Sequence, residues 1–188
     1  MSTYALTVEP ATALGRAVRH GAPAPDGDDQ ADKWELATAM LNEAGFVRYE
    51  VSNHARPGSH CRYNLGVWAQ GEYLAFGLGA HRYRDGVRSH NVRRLDTYMD
   101  RMERGIGPVQ TADPMRGWAA EQERLMLGLR RAAGVRPGRG GVALVQSPHG
   151  RRLMEAGVLD LSPDRQRLVV SRPLLTDEVT RAVLDLEP

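Results

Sequence analysis

The chain has 188 residues, 41% of them hydrophobic, and a formal net charge of +2. This length is enough for one domain or two small ones, and the apolar content allows a core without disulfides. The charge is too small to indicate a nucleic-acid-binding protein by itself, and no apolar run is long enough to predict a membrane span. The first residues do not read as a secretory signal, so we expect a cytoplasmic protein.

The sequence contains a single cysteine, Cys61. One thiol cannot form an internal disulfide, and it cannot anchor an iron–sulfur cluster that requires three or four thiolates. This count limits the redox chemistry open to these residues more than any other feature of the composition.

The first part of the chain predicts a strand, a helix and a second strand. Residues 3–8 are rich in β-forming side chains, and a proline follows them. Residues 21–29 contain Gly, Pro and Asp and predict a loop, and residues 46–51 predict the second strand. The helical link between the two strands has about the length of a parallel crossover.

The helix in that link has a capping signal at each end. Asp28 or Asp29 is expected to cap its N-terminus, because a carboxylate satisfies free backbone N–H groups. Gly45 is expected to end it in a left-handed conformation. The residues expected on its buried face recur at helical spacing and are Trp34, Ala37, Leu41 and Ala44.

The middle of the chain is rich in Gly and aromatic residues. Residues 61–91 predict loops and short strands around residues 73–76, and residues 95–104 predict a short helix. Residues 105–113 contain two glycines and a proline, which favours a domain boundary there.

The sequence pattern from residue 118 onward predicts two helices, then a β-hairpin and then a final helix. The predicted helices cover residues 118–133 and 142–156, closed by Gly134 and Gly157, and the predicted strands cover residues 158–161 and 167–171. Thr176 is expected to cap the last helix, which would bury Val179, Val183 and Leu186. This order favours a winged-helix-like module.

The densest polar cluster is residues 49–58. A strand that ends in Ser, Asn, His and Arg is typical of a site at one edge of a sheet, where Glu50 and Ser52 would share a face. The same residues are equally consistent with a tight turn built by side-chain hydrogen bonds.

His54, His60 and Cys61 are close in sequence and are of types that bind metals or haem. Their spacing matches no closed zinc site, since no second pair completes four ligands. An axial haem ligand requires only one such residue. Residues 77–81, Gly-Leu-Gly-Ala-His, follow an apolar stretch and allow close approach of a ligand, although a simple turn explains the pattern better.

Three blocks of the sequence resemble one protein family. The blocks are TYALTVEPATALGR, DDQADKWELATAMLNEAGFVRYEVSNHARPGSHCRYNLGVW and GEYLAFGLGAHRYRDG. They are similar to consecutive segments of the HemW-type haem chaperones, which resemble the oxygen-independent coproporphyrinogen III oxidases. The likeness covers about residues 3–104, and the rest resembles the accessory C-terminal domain of that family.

The resemblance implies an α/β fold, with residues 1–108 as the C-terminal portion of a radical SAM partial (β/α) barrel and residues 109–188 as a winged-helix-like α+β domain. It implies a [4Fe–4S] cluster, S-adenosylmethionine and haem as cofactors of the family. By the same likeness, Ala5 and His81 would contact S-adenosylmethionine. The candidate haem-binding residues are His54, His60, Cys61, Tyr63 and Asn64.

The sequence departs from the family in two respects. It has no CxxxCxxC motif to hold the cluster, and about 100 residues are too few for a barrel. The family's HNxxYW stretch reads Tyr63-Asn64-Leu65-Gly66-Val67-Trp68, with tyrosine in place of histidine. We therefore expect a HemW-like fragment that is not catalytic alone in radical chemistry, with a partner chain supplying the front of the barrel.

Two alternative hypotheses assign the chain to other functional classes. The chain could be a stand-alone haem- or porphyrin-binding module that retains one side of the site. The C-terminal module could instead be a nucleic-acid binder, since several arginines surround its predicted hairpin, but this hypothesis ranks last because winged-helix-like shapes often serve as interaction or capping domains.

Overall fold

The computed structural model describes all 188 residues, which form two compact units, Met1–His60 and Cys61–Pro188. All the strand pairs are antiparallel and belong to three small sheets. None of the helices has both the length and the apolar character needed to cross a membrane.

The Met1–His60 unit contains two helices and one strand pair. Its elements are α1 (Ala13–Arg19), α2 (Gly27–Glu43), β1 (Val47–Arg48) and β2 (His54–Ala55). β1 pairs with β2 in an antiparallel register, with Val47 opposite Ala55.

Helix α2 is the predicted helix, with one correction at its start. Its N-cap is Asp26, whose side chain accepts a 2.9 Å hydrogen bond from the Asp29 N–H, so Asp28 and Asp29 lie in the first turn instead of capping it. Gly45 ends the helix as predicted, with a φ of +79°. The predicted buried face is only half-buried, and Ala44 is exposed.

Residues 3–8 do not form the predicted strand, and the predicted parallel crossover is absent. Only the start of the chain pairs with another segment: the Thr3 N–H donates to the Ser52 carbonyl at 2.9 Å, and the His54 N–H donates to the Met1 carbonyl at 2.8 Å. A strand requires a neighbour for its backbone groups, and residues 4–8 meet none in this chain.

The Cys61–Pro188 unit begins with a helix and a three-stranded sheet. These elements are α3 (Arg62–Trp68), β3 (His81–Arg84), β4 (Val87–Asn91), α4 (Leu95–Glu103) and β5 (Val109–Pro114). The strand order is β3-β4-β5. Residues 73–76, predicted as a strand, contribute only an isolated bridge between Tyr73 and Tyr83, whereas α4 matches the helix predicted over residues 95–104.

A helical bundle with a hairpin completes this unit. Its elements are α5 (Gly117–Gly128), α6 (Gly138–Gln146), α7 (Pro148–Glu155), β6 (Leu159–Leu161), β7 (Leu168–Val170), a 3-10 turn (Pro173–Leu175) and α8 (Thr176–Leu184). The helix predicted over residues 142–156 is interrupted at Ser147, which caps α7 by accepting a 2.9 Å bond from Gly150 N–H. Pro148 explains the break, since its ring fixes φ and removes a backbone donor.

The largest hydrophobic core lies in this bundle. Its fully buried members, with 0–1% of their surface exposed, are Leu125, Leu144, Leu159, Leu168, Val179, Ala182 and Val183. Burial of Val179 and Val183 confirms these two positions of the predicted inner face of the last helix, whereas Leu186 lies beyond the end of α8 and is half-buried. The predicted cap Thr176 is instead the first helical residue, and its hydroxyl donates to the Pro173 carbonyl at 2.6 Å.

Candidate functional site

The candidate residues fall in different units of the structure. Ala5, His54 and His60 belong to the Met1–His60 unit, whereas Cys61, Tyr63, Asn64 and His81 belong to the Cys61–Pro188 unit.

The residue 49–58 motif places two ionisable side chains in the interior. Glu50 and His54 are both 0% exposed. Neither carboxylate oxygen of Glu50 and neither ring nitrogen of His54 has a hydrogen-bond partner. A buried polar group without a partner costs about 1–3 kcal/mol, and more if it is charged. The motif therefore carries unsatisfied polar groups that most folded proteins avoid.

The electrostatics of this motif favour a neutral His54 ring. Burial lowers the pKa of His54, and the positive charges of Arg48 and the N-terminal ammonium lower it further, while Glu50 opposes them. Burial also lowers the pKa of the Arg48 guanidinium, again opposed by Glu50. The ammonium itself donates to the His54 carbonyl at 2.6 Å. A neutral imidazole keeps one nitrogen lone pair, which is the form that accepts protons or binds metals.

The end of the motif also forms a turn. The Ser59 N–H donates to the Arg56 carbonyl at 2.9 Å, and Gly58 has a φ of +80°. The Arg56 guanidinium lies 5.1 Å from the centre of the Phe46 ring, and the exposed His60 ring stacks on Tyr49 at 4.8 Å. The turn and the buried polar pair therefore coexist in one short segment.

Ala5 lies in an open groove of about 430 Å³ in the same unit. Residues 3–6 form one wall, and α2 forms the other through Gln30, Lys33 and Trp34. The Gln30 side-chain oxygen accepts a 2.5 Å hydrogen bond from the Leu6 N–H, which holds the two walls together. Ala5 is itself exposed.

In the Cys61–Pro188 unit, an apolar surface follows α3. Exposure alternates along residues 73–78, so Leu74, Phe76 and Leu78 face solvent, with Phe76 83% exposed. Tyr63 of α3 is 63% exposed, and its ring meets the edge of Tyr73 at 6.3 Å. We name Leu74, Phe76 and Leu78 the aromatic face, and Tyr63 contacts the same segment through Tyr73.

The remaining candidates near α3 are of two kinds. Cys61 is an exposed free thiol at the N-cap position of α3, and Asn64 is half-buried in the first turn. No group of three or more His, Cys, Asp or Glu side chains is arranged to hold a metal ion. The donor set therefore does not fit a [4Fe–4S] cluster, which takes three or four thiolates.

His81 is exposed on β3, and the structure pairs it with a residue that we did not predict. His90 lies directly opposite on β4, and the two ring centres are 5.2 Å apart. The signal that could have found it is Asp85-Gly86, the typical two-residue hairpin turn. Counting outward from that turn gives the observed register, with Arg84 opposite Val87.

Comparison with known proteins gives the class of the fold. No protein-family model matches the chain. A search of solved structures finds the coproporphyrinogen III oxidase HemN of Escherichia coli, a radical SAM enzyme, with a TM-score of 0.68 over 94% of this chain and 46% of that protein, at 13% sequence identity. The chain has the mixed α/β fold of part of that radical SAM protein.

Relatives that are similar in sequence identify the family. The haem chaperone HemW of Mycobacterium tuberculosis is 39% identical over 98% of this chain and 47% of the relative, and HemW of Bacillus subtilis is 30% identical over 97% and 50%. The mitochondrial radical S-adenosyl methionine domain-containing protein 1 of Bos taurus is 45% identical over 43% of the chain and 19% of the relative. The chain belongs to the HemW family, and it spans about half the length of the HemW relatives it matches.

Proposed function

We propose that this chain is part of a HemW-like radical SAM system that binds haem or a porphyrin, and that it works in the cytoplasm. The observation that carries the proposal is the 39% identity to a HemW haem chaperone over 98% of the chain. In this proposal residues 1–108 correspond to the C-terminal portion of the radical SAM partial barrel. Residues 109–188 form the accessory domain, with a winged-helix-like arrangement of α5–α8 and the β6–β7 hairpin.

The aromatic face is the surface that we assign to the porphyrin. A porphyrin is a flat apolar ring, and its transfer from water onto Leu74, Phe76 and Leu78 is favoured by burial of apolar area. Exposed apolar side chains grouped in this way commonly mark binding sites. The exposed Tyr63 phenol, whose ring contacts Tyr73 of the same segment, supplies an oxygen that can ligate ferric haem.

The other haem candidates contribute differently. Cys61 and His60 are exposed and accessible to an iron ion, whereas His54 is fully buried and would need its segment to open before it could reach one. Asn64 is a neutral amide with weak affinity for iron, so we assign it a positioning role. In this proposal the primary iron ligand is therefore Tyr63.

Radical chemistry requires thiolates beyond Cys61 in this proposal. One thiol cannot hold the cluster that supplies the electron for cleavage of S-adenosylmethionine, so the other thiolates come from residues outside these 188. Ala5 in its groove would contribute to the S-adenosylmethionine site.

A haem titration tests the haem-binding proposal. Addition of ferric haem to the purified chain should give a saturable Soret shift at one haem per chain. Phe76→Ser should weaken binding at least tenfold, because it removes the most exposed apolar member of the aromatic face. Leu36→Ser is the matched control, since Leu36 is 62% exposed on α2 in the other unit. Equal binding by both variants, or no Soret shift, would overturn the proposal.

A further inference from the structure

The hairpin of β3 and β4 carries two imidazoles at directly opposite positions. His81 pairs with His90 in an antiparallel register, and the ring centres are 5.2 Å apart with 35° between their planes. The Asn91 N–H donates to the Ala80 carbonyl at 2.9 Å, so the flanking residues, and not the histidines, make the ladder bonds. Side chains of such non-hydrogen-bonded pairs approach most closely across a sheet.

The tautomer of His90 leaves a lone pair available. Its Nδ1 lies 3.1 Å from the Asn91 carbonyl oxygen. A carbonyl oxygen only accepts hydrogen bonds, so Nδ1 carries the proton, and in the neutral ring the Nε2 lone pair is free. An N–H bonded to a backbone carbonyl is the usual arrangement that orients a metal-binding imidazole. His81 is exposed and has no hydrogen bond that would compete with a ligand.

The neighbours of the pair hold it on a rigid sheet. On the same face, Thr111 of β5 lies opposite His90, and the next row carries Arg88 opposite Asp113. Arg88 is neutralised by an ion pair with Glu123 of α5, so Arg88 itself adds little repulsion to a cation near the histidines. The β4–β5 register shifts between His90 and Asn91, and such bulges often lie beside functional sites.

We propose that His81 and His90 form a two-histidine site for a divalent late transition metal ion, of which Zn²⁺ is the simplest example. Imidazole nitrogens are the preferred ligands of such ions, and water would complete the coordination shell. The two rings stand side by side, which suits neighbouring coordination positions on one small ion. They do not suit the two axial positions of haem, because those lie on opposite faces of the porphyrin and adjacent strands are only about 4.8 Å apart.

A bound ion would cross-link the two strands of the hairpin. Each strand contributes one ligand, so the ion links β3 to β4 beyond their backbone hydrogen bonds. Binding to the folded hairpin alone stabilises it in proportion to the logarithm of the metal concentration. The hairpin amides should therefore exchange with solvent more slowly when the ion is present.

The test is calorimetric titration of the untagged chain with Zn²⁺ in a Cys61→Ser background, which removes the only thiol. The parent should bind one Zn²⁺, and His81→Ala and His90→Ala should each weaken binding at least tenfold. The double variant should bind Zn²⁺ about as weakly as the weaker of the two single variants, because the loss of either histidine already removes the chelate. His20→Ala is the matched control, since His20 is also exposed, and should bind as the parent does.

Hydrogen exchange gives a second readout that does not depend on affinity. Zn²⁺ should slow exchange of the amides of residues 81–91 in the parent and should leave them unchanged in the single variants. Far-UV circular dichroism verifies that the variants are folded, and His90→Gln replaces His90→Ala if the alanine variant is not. Single variants that bind like the parent, independent and additive losses, or an equal loss with His20→Ala would overturn the proposal.

Discussion

Replacing His54 with leucine is expected to stabilise the Met1–His60 unit. The wild-type ring is 0% exposed, and neither nitrogen has a hydrogen-bond partner. Leucine fills a similar volume without polar atoms and keeps the backbone bonds between residue 54 and Met1. Removal of unpaired buried polar groups should raise the free energy of unfolding by about 1–2 kcal/mol at pH 7.

The gain should increase as the pH falls. Burial and the nearby positive charges lower the folded-state pKa of His54 below its ordinary value of 6.5. Between these two pKa values the unfolded chain binds a proton and the folded chain does not, so the wild type loses stability on acidification. The loss approaches about 1.4 kcal/mol per pH unit below 6.5 and stops at the folded-state pKa. The leucine variant should lack this loss.

Hydrogen exchange of residues 47–55, corrected for the intrinsic pH dependence of exchange, measures this difference. Each 1.4 kcal/mol slows exchange about tenfold. His20→Leu is the control, since His20 is exposed and its replacement should leave residues 47–55 unchanged. Faster exchange in the His54 variant, or a pH dependence like that of the wild type, would refute the argument that this ring lacks a partner.

Three further substitutions test the Cys61–Pro188 unit by urea denaturation. Glu121→Gln should lower the free energy of unfolding by about 1–2 kcal/mol. Arg124 lowers the pKa of Glu121 below its ordinary value of 4.5. The stabilisation by Glu121 is therefore present above pH 4.5 and is lost as the pH falls through the folded-state pKa. Glu123→Gln should cost about 1–3 kcal/mol, because Glu123 is 8% exposed and its removal leaves the Arg88 charge unpaired. Leu144→Ala should cost about 2–5 kcal/mol, since Leu144 is 0% exposed.

For each of these substitutions, one outcome would contradict the prediction. A Glu121→Gln variant with the same acid sensitivity as the wild type would show that the ion pair with Arg124 contributes nothing. A neutral Glu123→Gln change would mean that Arg88 is solvated well enough without its partner. Val142→Ala is the control for Leu144→Ala, because Val142 is 48% exposed on the same helix, and equal losses at the two positions would contradict the assigned core.

Local patterns predicted the second half of the chain well. The apolar spacing of Val179 and Val183 and the glycine at 157 depend on neighbours within a few turns, and the structure places them as expected. The helix predicted over residues 118–133 was drawn too long, because α5 ends at Gly128 and Gly134 lies in the following turn. The break at Ser147-Pro148 was missed, although proline itself was the signal.

The first sixty residues were harder to predict for a physical reason. A strand is stable only when a neighbour pairs with it, and residues 4–8 have the composition of a strand but form no bridge with another segment. The burial of Glu50 and His54 was not visible either, because sequence spacing places side chains on a face but does not say how deeply the face is covered. His90 was missed because its register was not counted from Asp85-Gly86.

Spectroscopy of the ferric haem complex, which shows whether Tyr63 ligates the iron, tests the central claim most directly. We expect the haem complex of the wild-type chain to show the charge-transfer absorption and electron paramagnetic resonance signal of tyrosinate-bound high-spin iron. Tyr63→Phe should abolish both, whereas Tyr4→Phe, which alters a tyrosine that is 73% exposed in the other unit, should leave them unchanged. A haem complex whose spectra are the same in the wild type and in Tyr63→Phe would contradict the assignment of the aromatic face as the haem site.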